Sequence, residues 1–415
     1  NSKSINFLKL KTSYGIIGDQ AGLPYWSGNN TYKVTNLDGT YSVEPLANGN
    51  KNLTWETAKI FQVGLETSLF NNFIDINVDY YVKNTDNLFF LRRVGPAEGI
   101  ATIQVNDGQL RNTGIEFDVL AHLVKNEGNG FNLDLGVNGE MLKNKLTKMP
   151  IDPSTGNQKI IDVQGQYAWT QGGSIYDFYM REYAGVDAGT GVALWNQYYD
   201  DVNNDGIFDA GDITIPNLTD YNSKNPEANV QKRVTSDYAS GTLKDVGKSA
   251  IPKVRGAFRL NASYKNFDLS TQFTYSLGGY AYDGAYAGCM SNDTPGSNNF
   301  HTDMRNRWQQ PGDVTDVPAL NTGVNGGTFA NSSSTRFLTK SDYLAMNNIR
   351  LGYTIPNKWI ENSGVSNVNL FVSGDNLMLL SKRDGFNPAT SEDGGSSTYR
   401  YSPLSTFTMG VRLEF

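Results

Sequence analysis

The sequence predicts an all-β fold: a transmembrane antiparallel β-barrel, of which this chain supplies about ten strands. Three observations carry that prediction. Apolar and polar residues alternate over stretches of roughly 10–13 residues, longer than ordinary globular strands and close to what a tilted strand needs to cross a bilayer. The connections between these stretches are alternately short and long. The chain is also hydrophilic on average, with a mean hydropathy of −0.45. No apolar run approaches the roughly 18 residues of a membrane helix. A barrel passes that test unseen, because only every second residue of its strands faces lipid.

The clearest strand pair lies within residues 58–83. Phe61, Val63, Leu65 and Leu69 share one face, with Gln62, Glu66 and Ser68 on the other. Asn71-Asn72 then forms a turn that tolerates positive φ. After it, Ile74, Ile76, Val78 and Tyr80 alternate with Asp75, Asn77 and Asp79. A two-residue hairpin pairs Leu69 with Ile74, both apolar, so the register is consistent. A third and fourth strand place Ile115, Phe117, Val119 and Ala121 beside Phe131, Leu133, Leu135 and Val137, with Glu116, Asp118, His122, Asn132, Asp134 and Glu140 on the inner face. Farther on, Phe258, Leu260, Ala262 and Tyr264 precede the turn Lys265-Asn266, and Phe267, Leu269, Thr271, Phe273 and Tyr275 follow it. Ile349, Leu351, Tyr353 and Ile355 match Val368, Leu370 and Val372. The last strand carries Phe407, Met409, Val411, Leu413 and Phe415.

Short connections fall near 71–72, 123–130, 265–266 and 356–366, and long ones near 16–57, 84–111, 142–254, 280–342 and 380–403. Strict alternation puts every long loop on one side, as in outer-membrane barrels with short periplasmic turns and long extracellular loops. The rings of Tyr80, Tyr81, Tyr264, Phe267, Tyr353 and Phe415 sit near strand ends, where a membrane interface favours them.

Composition removes several function classes. A net charge of −7 argues against nucleic-acid binding. A single cysteine, Cys289, allows no intrachain disulfide, and two isolated histidines, His122 and His301, make neither a zinc site nor a triad. The inner-face carboxylates Glu66, Asp75, Asp79, Glu116 and Asp118 bring no nucleophile or paired acid to one point, so no enzyme is expected. They hydrate a lumen or bond to what fills it. The chain opens with Asn1-Ser2-Lys3 and enters an alternating segment almost at once, which reads as a chain picked up midway.

Two groups of loop residues are candidate sites. Asp201, Asn203, Asp205, Gly206, Ile207, Asp209 and Asp212 follow the order of a calcium-binding loop. Side-chain oxygens fall at positions 1, 3 and 5, glycine at 6, the Ile207 carbonyl at 7 and an acid at 12. Calcium or a similar divalent cation there would pin part of the 142–254 loop; a plain Asx-turn loop reads the same way. Tyr25, Trp26, Tyr176, Tyr179, Trp195, Tyr198, Tyr199 and Trp308, with Arg305, are candidates for stacking on sugar faces or anchoring a peptide; self-packing of the loops is the alternative.

Taken in order, the segments LKLKTSYGIIGDQ (8–20), LTWETAKIFQVGLETSLFNN (53–72), VDYYVKNTDNLFF (78–90), VNDGQLRNTGIEFDV (105–119), YDDVNNDGIFDAGD (199–212), YLAMNNIRLGYTIP (343–356), NVNLFVSGDNLMLLSK (367–382) and YSPLSTFTMGVRLEF (401–415) span nearly the whole chain. The set resembles the SusC/RagA group of TonB-dependent transporters of the Bacteroidetes, from the outer membrane of Gram-negative bacteria. The resemblance implies a barrel of about 22 strands behind a plug, with residues 1–415 as its C-terminal part and the plug and early strands absent from this chain. It implies TonB as the energy source and a SusD-like surface lipoprotein docked on the loops, with an oligosaccharide or oligopeptide imported. Phe407, Met409, Val411, Leu413 and the terminal Phe415 resemble an outer-membrane assembly signal. The rival readings are a passive porin and a secreted, calcium-stabilised glycan-binding β-sandwich.

Overall fold

The computed structural model describes residues 4–415 apart from 96, 98, 127–129, 154, 292–298, 321–328, 362–363 and 392–401. Parts of the expected connections 84–111, 123–130, 142–254, 280–342, 356–366 and 380–403 therefore lie outside the described residues.

Ten strands form one antiparallel sheet in simple sequence order. They are β1 (Ile5–Asp19), β2 (Glu56–Leu69), β3 (Ile74–Asp86), β4 (Gln109–Val124), β5 (Phe131–Lys148), β6 (Val254–Tyr264), β7 (Phe267–Leu277), β8 (Tyr343–Thr354), β9 (Asn367–Ser381) and β10 (Thr406–Glu414). Each strand pairs only with its neighbours in this order, and β1 and β10 are the two edges. A single sheet of this kind is the wall of a barrel, not one layer of a sandwich, so the sandwich alternative falls.

The expected registers are present. Leu69 pairs with Ile74, and Tyr264 with Phe267. The first turn differs in detail. Four residues separate the pair, and the left-handed conformation begins one residue early, at Phe70 (φ 54°), ahead of Asn71 and Asn72. Phe73 N–H donates to the Leu69 carbonyl at 2.9 Å and closes the turn. The Lys265-Asn266 turn is the two-residue hairpin expected, with Lys265 at φ 52°.

One face of the sheet is apolar and uncovered: Leu65, Tyr80, Ile115, Phe131, Tyr264, Phe267, Leu351 and Val372 are all exposed. From Leu69 to Phe61 this stripe covers eight residue steps, about 26 Å along a strand at ~3.3 Å each. With barrel tilts of ~35–45° that is about 20 Å across a membrane. The strands run farther than expected, to 18 residues in β5, because they continue beyond the stripe on the long-loop side. There the same face turns polar. Lys59 pairs with Asn84, Asn84 with Arg111 and Arg111 with Lys145 across four strands, and Lys59 Nζ meets Asp86 at 2.7 Å. Alternation ends where lipid ends, so an apolar count stops short of the strand.

On the long-loop side the connections are folded. The segment between β5 and β6 forms two small sheets. One uses Ile161–Gln164, Tyr167–Thr170, Asp177–Arg181 and Leu243–Ser249; the other uses Tyr183–Val186, Ala193–Asp200, Ile213–Ile215 and Val230–Thr235. A short helix, Leu218–Lys224, starts where the Asn217 side chain accepts the Asp220 N–H. These pieces share a core with the connection between β7 and β8: Phe178, Met180, Ala250, Tyr282, Met304 and Phe337 are buried together. The loops thus build a compact cap with its own apolar interior.

Candidate functional site

The side chains that alternate with the apolar stripe face the other way and line two adjoining cavities of about 580 and 800 Å³. Both take their floor from the wall and their roof from the cap's underside, through Pro252, Ile175, Tyr176 and Ala389.

Register sets the chemistry of this inner wall. Reading across neighbouring strands at one level gives Lys11, Gly64, Asp79, Glu116, Glu140 and Arg255. Three acids stand side by side, and a base closes each end. Like charges directly opposite each other repel, and the bases offset this. Lys11 Nζ reaches Asp79 at 3.4 Å and Glu66 at 3.0 Å, and donates to Asn77 at 3.0 Å. Arg255 clamps Glu140 through Nε at 3.0 Å and Nη2 at 2.9 Å. One level nearer the short turns, Arg259 faces Asp118 at 3.6 Å. Nearer still, the imidazole of His122 lies between Asp134 at 2.7 Å and Asp75 at 3.5 Å.

Tyr81 is placed differently from the expectation. It points into the lumen, not at the membrane interface, and its hydroxyl donates to Glu140 at 2.7 Å. Tyr80 beside it takes the outer face. Two consecutive tyrosines in a strand cannot both face lipid, and Tyr81 shares the face of Asp75, Asn77 and Asp79, the lumen side. Sequence reading missed Tyr81, Asn112, Asn144 and Arg255 as cavity residues, and Lys11 as the base that closes the inner row. Their signal is the polar half of the alternation, followed toward the long-loop ends of the strands.

The nine ring and arginine candidates separate by burial. Tyr179 is 2 % exposed; its hydroxyl donates to Asn217 at 2.7 Å, and burial raises its pKa. Trp195 and Tyr199 are likewise buried in the cap. Trp308 packs over Gly191, and its indole N–H donates to the Ala188 carbonyl at 3.0 Å. Tyr198 is held by Lys244 and Glu182. These five are cap-building residues in this structure. Tyr176 lines the larger cavity, while Tyr25, Trp26 and Arg305 are exposed.

Around Glu182 the cap carries an ion-pair cluster. Burial works against the carboxylate's charge, yet hydrogen bonds from Asn196 (3.1 Å), Lys244 (3.2 Å) and Tyr198 (3.1 Å) outweigh it and hold the group below its ordinary pKa.

The calcium-like loop is drawn around Asp201, which is 2 % exposed. Its carboxylate accepts the N–H groups of Asp205 (3.2 Å) and Gly206 (2.9 Å), with Gly206 at φ 74°. Asn203 accepts from Asp205 N–H at 3.1 Å, and Asp205 from Ile207 N–H at 2.7 Å. Asp212 accepts from Val202 and Asp209, and Asp209 from Gly211. These are Asx turns. Among the described residues no three His, Cys, Asp or Glu side chains converge as a ligand set. The terminal residues Phe407, Met409, Val411, Leu413 and Phe415 all lie exposed along the β10 edge. Among the described residues no helix is long and apolar enough to cross a membrane, which leaves crossing by strands open.

A continuous sheet with a lipid-facing outer stripe, a charged inner wall and a folded cap at one end defines part of a large outer-membrane β-barrel. Residues 19–224 match the family model described as TonB dependent receptor-like, beta-barrel. A TonB-dependent receptor (P3) of Formosa agariphila is 26% identical over 434 aligned residues, covering 100% of this chain and 40% of that protein. The TonB-dependent receptor SusC of Bacteroides thetaiotaomicron is 25% identical over 425, covering 98% of this chain and 37% of SusC. The solved structure of the RagAB peptide transporter shares the fold, with a TM-score of 0.80 at 24% identity over 100% of this chain and 42% of that one. Over its whole length the chain is similar to TonB-dependent receptors of the SusC/RagA kind, and its place is the outer membrane of a Gram-negative bacterium. The named relatives are receptors, not enzymes. The chain spans about 40% of the length of the curated relatives it matches.

Proposed function

We propose that this chain is the C-terminal part of the barrel of an active importer, and that the cargo is an oligosaccharide or oligopeptide. The observation that carries the reading is the charged inner wall roofed by a folded cap. A passive porin needs an open lumen, whereas here Pro252 and Ala389 of the cap stand over the same cavities as Glu140 and Arg255. The two free edges, β1 and β10, support a whole protein with further strands, because unpaired strand edges are not viable in lipid. A plug and those strands, TonB, and a SusD-like lipoprotein on the cap are the partners in this reading. Phe407, Met409, Val411, Leu413 and Phe415 serve as its assembly signal. Tyr25, Trp26, Tyr176 and Arg305 are the cargo contacts left accessible by the fold.

A calcium or similar divalent cation at Asp201, Asn203, Asp205, Ile207, Asp209 and Asp212 is part of the proposal. The order of oxygens and the turn about Gly206 support it; binding requires Asp209 and Asp212 to swing off their backbone partners.

The test is mass spectrometry of what co-purifies with the full-length protein from detergent-solubilised outer membranes, followed by uptake assays. Recovery of a plug-bearing polypeptide with a surface lipoprotein, and uptake abolished without TonB, are the expected results. A protein found alone in the soluble fraction, or TonB-independent uptake, overturns the reading.

A further inference from the structure

We propose that the apolar face of the Thr31–Ala47 hairpin is an internal interface, packed in the whole protein against extracellular loops of the strands that continue the sheet beyond β1. The inference rests on the reading that such strands exist.

The hairpin lies in the connection between β1 and β2 and has two unlike faces. Tyr32, Val34, Tyr41, Val43 and Pro45 fall on one, through the pairs Tyr32–Pro45, Val34–Val43 and Asn36–Tyr41. Lys33–Glu44 and Thr35–Ser42 form the middle of the other, with Leu37 and Leu46 at its two ends. The apolar face is bare: Tyr32 is 57% exposed, Val34 62%, Tyr41 72% and Val43 64%. A lone two-stranded hairpin is marginally stable in water at best, and one with aromatic and β-branched residues facing solvent lacks the burial that would hold it.

The neighbouring connection provides the control. Between β3 and β4 stands a similar hairpin, Phe89–Arg93 with Thr102–Asn106. Its apolar residues are covered: Phe90 is 3% and Val105 6% exposed, in a core with Leu146 and Met149, and Phe90 meets Trp169 edge-on at 5.1 Å. The covering residues come from β5 and from the connection after it, farther along the sheet. One hairpin has chain beyond it and is buried. The other stands next to the sheet edge and is bare.

The bare hairpin is also held in place. Thr54 N–H donates to Asn106 Oδ1 at 2.8 Å, Asn106 Nδ2 donates to the Thr54 carbonyl at 2.9 Å, and Asn50 Nδ2 donates to the Gln104 carbonyl at 2.9 Å. Its stem is therefore stitched to the buried hairpin, on the side away from β1. The occupant follows from continuity: β1 offers an unpaired edge from Ile5 to Asp19, and more than half the length of the relatives has no counterpart in this chain. The loops above the next strands would meet this face as Leu146 and Trp169 meet Phe90, with aliphatic and aromatic side chains.

The test uses the full-length protein in detergent with p-benzoylphenylalanine at position 34, at position 44 on the polar face, and at position 13 on the β1 edge. After irradiation, the expected result is an intramolecular link from position 34 to residues upstream of β1, several-fold stronger than from position 44, with no heavier species on a gel. A link from position 34 to a separate polypeptide or to a second copy overturns the inference, as does a yield equal to that at position 44. If position 13 links upstream while position 34 does not, only this inference falls. If neither links upstream, the continuing barrel falls with it.

Discussion

Lys11 on β1 reaches Asp79 on β3 across an intervening strand, at 3.4 Å, because Gly64 lies between them and has no side chain. A Cβ on Gly64 would stand 1.9 Å from Asp79 Oδ1. Gly64→Val should therefore displace the carboxylate and lower barrel stability by about 1–3 kcal/mol, the usual cost of overpacking. Urea unfolding of the full-length protein in micelles measures this. Adding Asp79→Ala removes the clash, so the double variant should recover part of the loss; equal instability of both variants would count against the steric account.

The lipid face and the lumen face should respond oppositely to charge. Leu65→Arg places a guanidinium on the outer stripe and should cost about 2–4 kcal/mol near the membrane midplane. Thr274→Arg, on the cavity side, should cost well under half of that. The comparison is read from heat-modifiable migration on gels, and equal costs would reverse the assignment of faces.

Phe178 is fully buried at the centre of the cap. Phe178→Ala should lose about 3–5 kcal/mol of local packing. Because this core is separate from the sheet, limited proteolysis should cut the cap while the barrel still migrates as a folded species.

The Glu182 cluster makes the cap acid-sensitive. The carboxylate titrates below its ordinary value of 4.5 in the fold, so its contribution is complete above that pH and disappears as pH falls through the depressed value. Protease susceptibility of the cap should rise as pH falls below the ordinary carboxylate range, and Glu182→Gln should flatten that rise. Lys244, raised above 10.5 by Tyr198 and Glu182 against the opposing effect of burial, loses its share only in strong alkali.

For the Asp201 loop, calcium should slow proteolysis within 199–212 and a chelator should restore it. Asp201→Ala with Asp205→Ala should abolish the difference. Resistance indifferent to calcium in the parent protein would remove the cation from the proposal.

How much of this was legible depended on whether a pattern was local. Leu69–Ile74 and Tyr264–Phe267 could be paired from sequence because a short turn fixes register and both faces alternate cleanly. Tyr81 lies near a strand end, which points to the interface, but it shares the face of Asp75, Asn77 and Asp79, and that parity puts it in the lumen. Trp195 and Tyr199 read as capture rings since nothing local says that residues 193–200 pair with 230–235 and bury one side. The polar ends of β4 and β5 were invisible to an apolar count: Lys143 and Lys145 mark a strand that has left the bilayer.

The strict nearest-neighbour order of the ten strands has a kinetic corollary. Seven of the nine seams join segments separated by fewer than 40 residues, and the β7–β8 seam by residues 278–342, so most of the sheet can grow hairpin by hairpin. The β5–β6 seam has the longest connection, residues 149–253. Closing so long a loop carries an entropic penalty that grows as about (3/2)RT ln n, and non-local pairing is slow. If the cap collapses first on Phe178 and its neighbours, it brings Glu140 and Arg255 together before they pair. The cap then acts as an internal template for zipping the wall, and variants that loosen it should delay assembly of a barrel whose finished stability they leave unchanged.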